Sequence, residues 1–192
     1  MCAGCYPRVG EGRLDSFKIE GRTRSVYYLS QVVRAYRMAI DAVHGALEGG
    51  AEASPELVPQ ESRRAIKFVD GRGFMPGFLR GPLPQNYEST HVAAEGGCVA
   101  AQVLDYDPAT NSCRVNVKNP FCMDDTLELM TPSGMCRCEV DSLLDFRGAA
   151  ADRLNPGTEG RVFLQGNVLK DTEKAVFGFF VKNITARESL KT

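Results

Sequence analysis

The chain has 192 residues, 43% of them hydrophobic and 24% charged, with 23 Lys and Arg against 24 Asp and Glu for a net charge of −1. That size suits one or two globular domains with a sizeable core, and the near-neutral balance excludes a uniformly basic nucleic-acid binder while allowing a local basic patch. No apolar run approaches the roughly 20 residues that cross a bilayer and no basic-then-apolar leader opens the chain, so a cytoplasmic protein with no membrane partner is expected.

Cations are densest near the start. Between residues 8 and 37, Arg8, Arg13, Lys18, Arg22, Arg24, Arg34 and Arg37 face only Glu11, Asp15 and Glu20, which makes this stretch the best candidate for touching an anion. Within it, residues 14–20 alternate apolar and polar side chains after Leu14 and run into Gly21, which predicts a short strand. Val26, Leu29, Val33, Tyr36, Ile40, Val43 and Leu47 then recur at spacings of three and four, the stripe of a helix buried on one face. Ser25 can cap its start and Gly49-Gly50 can end it. A strand, a short turn and a long helix make one strand–helix unit, which cannot stand alone because a single strand leaves its backbone groups unpaired. Ser54-Pro55-Glu56 offers a cap and a first-turn proline, predicting a second short helix to about Phe68. Gly- and Pro-rich stretches at residues 45–59 and 71–85 read as linkers around it.

Beyond residue 90 the period drops to two. Residues 98–106 and 113–118, joined by Asp107-Pro108-Ala109-Thr110-Asn111, predict a hairpin. So do residues 126–130 and 135–140 across Thr131-Pro132-Ser133-Gly134. Residues 161–165 and 175–182 add further strands, and six or so short strands in this span predict a small barrel or sandwich. The organisation expected is a strand–helix unit over residues 1–48, a linker with a short helix over 49–88, and a small β domain over 89–192.

Glu20 and Arg22 stand where the predicted strand ends, the edge at which α/β barrels gather ligand-binding side chains. Guanidinium groups there could hold an anionic or nucleotide substrate, and an ion pair from Glu20 to Arg22 or Arg24 is the structural alternative. Lys18 lies two residues before Glu20, so the two share a strand face, and if that face looks into the barrel they should pair, because an unpaired buried charge would be costly. Arg34 and Arg37, one helical turn apart, can reach a common phosphate or stay solvated. Cys2-x-x-Cys5 has the spacing of half a metal site and makes those two cysteines weak candidates only. Seven cysteines are an odd number for a disulfide framework, so free thiols are expected throughout. His44 and His91 are the only histidines. Neither sits in a nucleophile motif, and there is no His-Glu-x-x-His, phosphate loop or dinucleotide fingerprint.

The segment Ser16-Phe17-Lys18-Ile19-Glu20-Gly21-Arg22-Thr23-Arg24-Ser25, with Tyr27-Tyr28, Tyr36-Arg37 and Ile40-Asp41 after it, resembles the signature region of the U32 peptidase family. The resemblance continues in order through Gly71-Arg72-Gly73-Phe74, Gly77-Phe78-Leu79, Gln85-Asn86-Tyr87-Glu88, Val117-Lys118-Asn119 and the run from Asp125 to Gly134. It spans residues 15 to about 185 and leaves residues 1–13 outside. Within the family, the Thr-Arg-Ser and Gln-Asn-Tyr-Glu variants are most similar to the branch that helps hydroxylate the wobble uridine of tRNA. Other members carry the label protease or collagenase.

The resemblance implies an α+β chain: the terminal strand–helix unit of an α/β (TIM-like) barrel, then a small antiparallel β-barrel. Full-length relatives begin with that large barrel, and some hold an iron–sulfur cluster on four cysteines lying mostly within it. No cofactor is therefore expected on this chain. By itself it is expected to lack catalysis, serving either as part of a tRNA-modifying protein or as an adaptor that docks tRNA or a protein partner. Lys18, Glu20, Arg22, Arg24, Arg34 and Arg37 are the candidate substrate-binding residues.

Overall fold

A computed structural model describes residues 16–52, 54–67, 69, 97–132, 134–166 and 176–183. The chain divides into two compact units, Met1–Glu95 and Gly96–Thr192.

The first unit is built on one long helix, α1 (Val26–Glu48). Ser25 caps it, accepting a hydrogen bond at its side-chain oxygen from the Tyr28 backbone N–H at 3.1 Å, which satisfies one of the four donors a helix start leaves free. Gly49 closes it, and Gly50 at φ +85° turns the chain away in a region open to glycine. The short helix expected after Ser54 is two pieces, a single 3₁₀ turn (Pro55–Leu57) and α2 (Gln60–Lys67). Pro59 divides them: its ring disfavours helical backbone at the preceding residue, and Val58 is extended at φ −75°, ψ 118°.

The buried face of α1 is not the predicted stripe. Tyr27, Gln31, Val32, Ala35, Ala39 and Val43 are the buried positions, whereas Val26, Val33 and Leu47 are 61%, 50% and 41% exposed. Of the expected stripe only Val43 is fully buried. Ala35 packs with Ala65 and Ile66, and Ala39 and Val43 pack with Val58. Small alanines let α2 approach closely, and the Ser62 hydroxyl bridges the helices by donating to the Ala35 carbonyl at 2.7 Å. The alternative stripe was hidden because alanine, glutamine and tyrosine carry a weak hydrophobic signal. The strand predicted over residues 14–20 is also not seen: residues 16–20 belong to no strand, and Leu14 and Asp15 lie outside the described residues. No strand pairs with residues 16–20 among the described residues, and without a ladder the alternation has nothing to hold it.

The second unit is an antiparallel sheet. Its strands are β1 (Gly97–Asp107), β2 (Ser112–Val117), β3 (Phe121–Cys122), β4 (Leu127–Thr131), β5 (Gly134–Cys138), β6 (Val140–Asp145), β7 (Arg153–Leu154), β8 (Glu159–Leu164) and β9 (Phe179–Asn183). Seven form one sheet in the order β5-β4-β9-β1-β2-β8-β6, and β3 pairs with β7 beside it. Both predicted hairpins are present as β1–β2 and β4–β5. In the first turn the Asp107 carboxylate accepts from the Ala109 N–H at 2.9 Å and the Thr110 hydroxyl at 2.8 Å, and these bonds hold its pKa below the usual carboxylate value. Asn111, at φ +48°, completes the turn and donates to the carbonyls of Leu164 and Gly166.

The two edge strands are consecutive in sequence, since only Glu139 separates Cys138 at the end of β5 from Val140 at the start of β6. Opposite edges joined by one residue force the sheet to curl. No β5–β6 pairing closes it among the described residues, so the expected barrel is a curled half-barrel. β9 sits between β1 and β4, and its Phe179, Phe180 and Val181 are all buried. It starts four residues later than expected, because Phe177, 74% exposed, turns at φ +73°. Leu104 is a bulge in β1 that resets the inward parity, so Ala101 and Val103 point to the core and Tyr106 follows.

Candidate nucleic-acid interface

The predicted cationic stretch becomes a turn followed by α1. Residues 21–24 close on themselves through the Arg24 N–H, which donates to the Gly21 carbonyl at 2.9 Å. Gly21 lies close against Leu29: a β-carbon there would come within 2.0 Å of the Leu29 Cδ2 methyl, which would have to shift. The turn therefore lies directly on the first turns of α1 and presents Arg22 and Arg24 to solvent. The Arg24 guanidinium sits 5.2 Å from the Tyr28 ring centre, a stacking arrangement that orients it while leaving its donors available.

The other four candidates are engaged elsewhere. Lys18 Nζ lies 2.8 Å from Glu20 Oε1, so the expected pair forms; both side chains are exposed, where such a pair contributes little. Glu20 thus pairs with Lys18 rather than bracing Arg22 or Arg24. Arg34, whose side chain is only 15% exposed, pairs with Glu61 and ties α1 to α2. Arg37 grips Asp41 one turn along, with Nε at 2.9 and 3.0 Å from the two carboxylate oxygens, and this guanidinium depresses the Asp41 pKa. Arg37 stays on the solvent side as one of the two expected alternatives has it, while Arg34 is largely covered. Of the candidate arginines, Arg22 and Arg24 are exposed and pair with no carboxylate among the described residues, whereas Arg34 and Arg37 are paired.

His44 pairs with Glu48 at 3.3 Å on an exposed helix face, and no nucleophile is bonded to it among the described residues. His91, Cys2 and Cys5 lie outside the described residues, as do the motifs at residues 71–74, 77–79 and 85–88. Cys113, Cys122, Cys136 and Cys138 are free thiols. Among the described residues no three His, Cys, Asp or Glu side chains gather as a metal site, so the four-thiolate set that an iron–sulfur cluster needs is not found among them. Cys136 and Cys138 share one side of β5. A hydrogen bond from Cys138 pulls the Cys136 thiol down to about 7, while the same bond, together with burial, pushes Cys138 up. Burial pushes Cys113 up to about 12.

The second unit adds a cationic pair that charge counting along the chain misses. Arg114 on β2 and Arg161 on β8 are direct partners in the antiparallel register. They are 47 positions apart in sequence, so neither belongs to a basic run. Their only sequence signal is that each stands between inward-facing residues in an alternating strand.

Residues 7–89 match the family model described as Peptidase family U32, and residues 98–175 match that of the Peptidase family U32 C-terminal domain. The chain belongs to peptidase family U32. The match begins at residue 7, so residues 7–13, expected outside the resemblance, fall within it.

Among curated proteins the chain is similar to the tRNA hydroxylation protein P of Haemophilus influenzae, 28% identical over 142 residues, covering 72% of this chain and 29% of that protein. It is also similar to the tRNA hydroxylation protein P of Escherichia coli, 30% identical over 154 residues, covering 79% of this chain and 32% of that protein. The tRNA hydroxylation protein P1 of Bacillus subtilis is 31% identical over 130 residues, covering 66% and 29%. The chain thus spans about a third or less of the length of these relatives. Among solved structures, the C-terminal domain of a Geobacillus thermoleovorans putative U32 peptidase is 19% identical with a TM-score of 0.38, covering 45% of this chain and 92% of that domain. The family assignment rests on the two family models and not on that likeness.

Proposed function

We propose that this chain works in tRNA modification, as the C-terminal portion of a U32 protein that takes part in hydroxylating the wobble uridine of tRNA. The observation that carries this reading is the similarity to tRNA hydroxylation proteins across most of the chain. The exposed Arg22 and Arg24 on the turn before α1 supply side chains suited to phosphate. In this reading residues 16–48 belong to the α/β barrel of the longer protein, any iron–sulfur cluster is held there, and the β unit docks tRNA or a protein partner in the cytoplasm. The share of the work that falls to this chain is binding. No described helix is long and apolar enough to cross a membrane.

The test is genetic and chemical. Disrupting the reading frame in its host and quantifying tRNA nucleosides by mass spectrometry should show loss of 5-hydroxyuridine and its derivatives, restored by a plasmid copy. Unchanged nucleosides would overturn the reading.

A further inference from the structure

The outer side of β2, β8 and β6 holds features that the turn near α1 lacks. Arg114 and Arg161 are directly opposite each other across β2 and β8, so both leave the same side of the sheet, with β-carbons about 5 Å apart as such pairs are. Two like charges placed so destabilise a sheet. Glu159 answers one of them, with Arg114 Nη1 at 3.1 Å from its carboxylate. Arg161 is held by a neutral group, donating to the Ser112 hydroxyl at 3.0 Å. One row over, Leu144 of β6 is the register partner of Arg161, and the chain turns immediately after β6 to present Phe146, 63% exposed.

Arg114, Arg161, Glu159, Leu144 and Phe146 line an open cavity of about 550 Å3, whose lining also includes Gly148 and Gly157. A β-carbon at either glycine would meet nothing within 4 Å, so the cavity mouth is bare backbone with positive φ at both positions. Arg147 lies with its guanidinium 5.0 Å from the Phe146 ring centre, adding a third cation beside the aromatic face. Of the two carboxylates lining the cavity, Glu159 is paired with Arg114 and Asp145 is engaged by its own turn, Oδ1 accepting from the N–H groups of Arg147 at 2.8 Å and Ala149 at 2.9 Å.

We infer that this cavity is a binding site for unpaired RNA, with a backbone phosphate held between Arg114 and Arg161 and a base stacked on Phe146. An in-register guanidinium pair suits the paired oxygens of a phosphate, and an exposed aromatic ring within the same cavity suits a base. Single-stranded segments are recognised by this combination, because a duplex conceals its base faces. The inference rests on the tRNA reading above and deepens it by placing an RNA-binding surface on the β unit.

Fluorescence anisotropy of the whole chain with labelled, unmodified tRNA tests it at several salt concentrations. The double variant Arg114→Gln/Arg161→Gln should bind at least tenfold more weakly and lower the salt slope by roughly 0.7 for each phosphate no longer neutralised. Phe146→Ala should weaken binding roughly five- to a hundredfold with the slope unchanged, since stacking carries no charge. Phe146 is a surface residue, so this variant keeps the test alive if the double variant misfolds by circular dichroism. Arg137→Gln, on the opposite sheet edge, should change neither quantity. If the parent binds tRNA and both cavity variants bind as it does, the cavity inference falls and the tRNA reading stands. If the parent binds no tRNA at all, the cavity inference falls, and the tRNA reading stands or falls on the nucleoside measurement. Tighter binding of a labelled poly-glutamate peptide than of tRNA, abolished in the same variants, would overturn the assignment to RNA.

Discussion

The two units bury themselves in different ways. In the sheet unit a single cluster of buried residues runs from Ala100 to Phe180 and includes Phe121, Leu127, Leu129, Leu143 and Val162. Among the described residues of the helical unit, buried groups are Ala35 with Ala65 and Ile66, and Ala39 with Val43 and Val58. Alanine removes little apolar area from water, so Ala35, Ala39 and Ala65 each stabilise less than a buried Phe, Leu or Val of the sheet. α1 meanwhile leaves Val26, Val33 and Leu47 exposed. Among the described residues the extended buried cluster belongs to the sheet, and the basic turn of Arg22 and Arg24 precedes the helix pair.

The largest expected effect lies at the centre of the sheet. Phe180 is fully buried on β9 between β1 and β4, so Phe180→Ala should cost about 3–5 kcal/mol in urea unfolding. A smaller loss would mean that the sheet core is less continuous than its packing indicates. Next comes Gly160→Ala. The added β-carbon would lie 2.7 Å from Leu154 Cδ1 and 2.9 Å from the Leu144 carbonyl oxygen, and backbone cannot step aside as a side chain can. A cost of about 1–3 kcal/mol is expected, with β6 and β7 losing hydrogen-exchange protection first.

In the helical unit Ser25→Ala removes the cap of α1 and should cost about 1 kcal/mol, read as a lowered helical signal in a thermal melt. If the sheet transition moves with it, the two units unfold as one and the contrast between them fails. The smallest effect concerns reactivity and not stability. Cys136, with its pKa drawn down to about 7 and its side chain half-buried, should alkylate with iodoacetamide at a rate that rises through pH 7. Cys113, pushed up to about 12, should stay unlabelled until the sheet unfolds. For Cys136 taken alone the folded pKa lies below the ordinary thiol value of 9, so its contribution to stability is present above pH 9 and lost as pH falls through 7. The raised Cys138 opposes it as pH rises, which is why labelling is the clearer measurement.

The local pieces were legible in the chain alone: the Ser25 cap, the Gly49-Gly50 stop, both β-hairpins with their turn chemistry, the Lys18–Glu20 pair and the family resemblance. Each depends on residues close together in the chain or on a motif read in order. The remainder arose only when distant segments met. Which side of α1 is buried was set by α2, because Ala35 and Ala39 offer close approach rather than hydrophobicity. Residues 16–20 needed a ladder partner to be a strand. Pro59 split a helix that the cap alone predicted as one. The placement of β9 between β1 and β4 and the meeting of Arg114 with Arg161 depend on pairings between segments far apart in the chain. Alternation fixes which side of a strand faces inward, but it carries no record of the strand that will lie beside it.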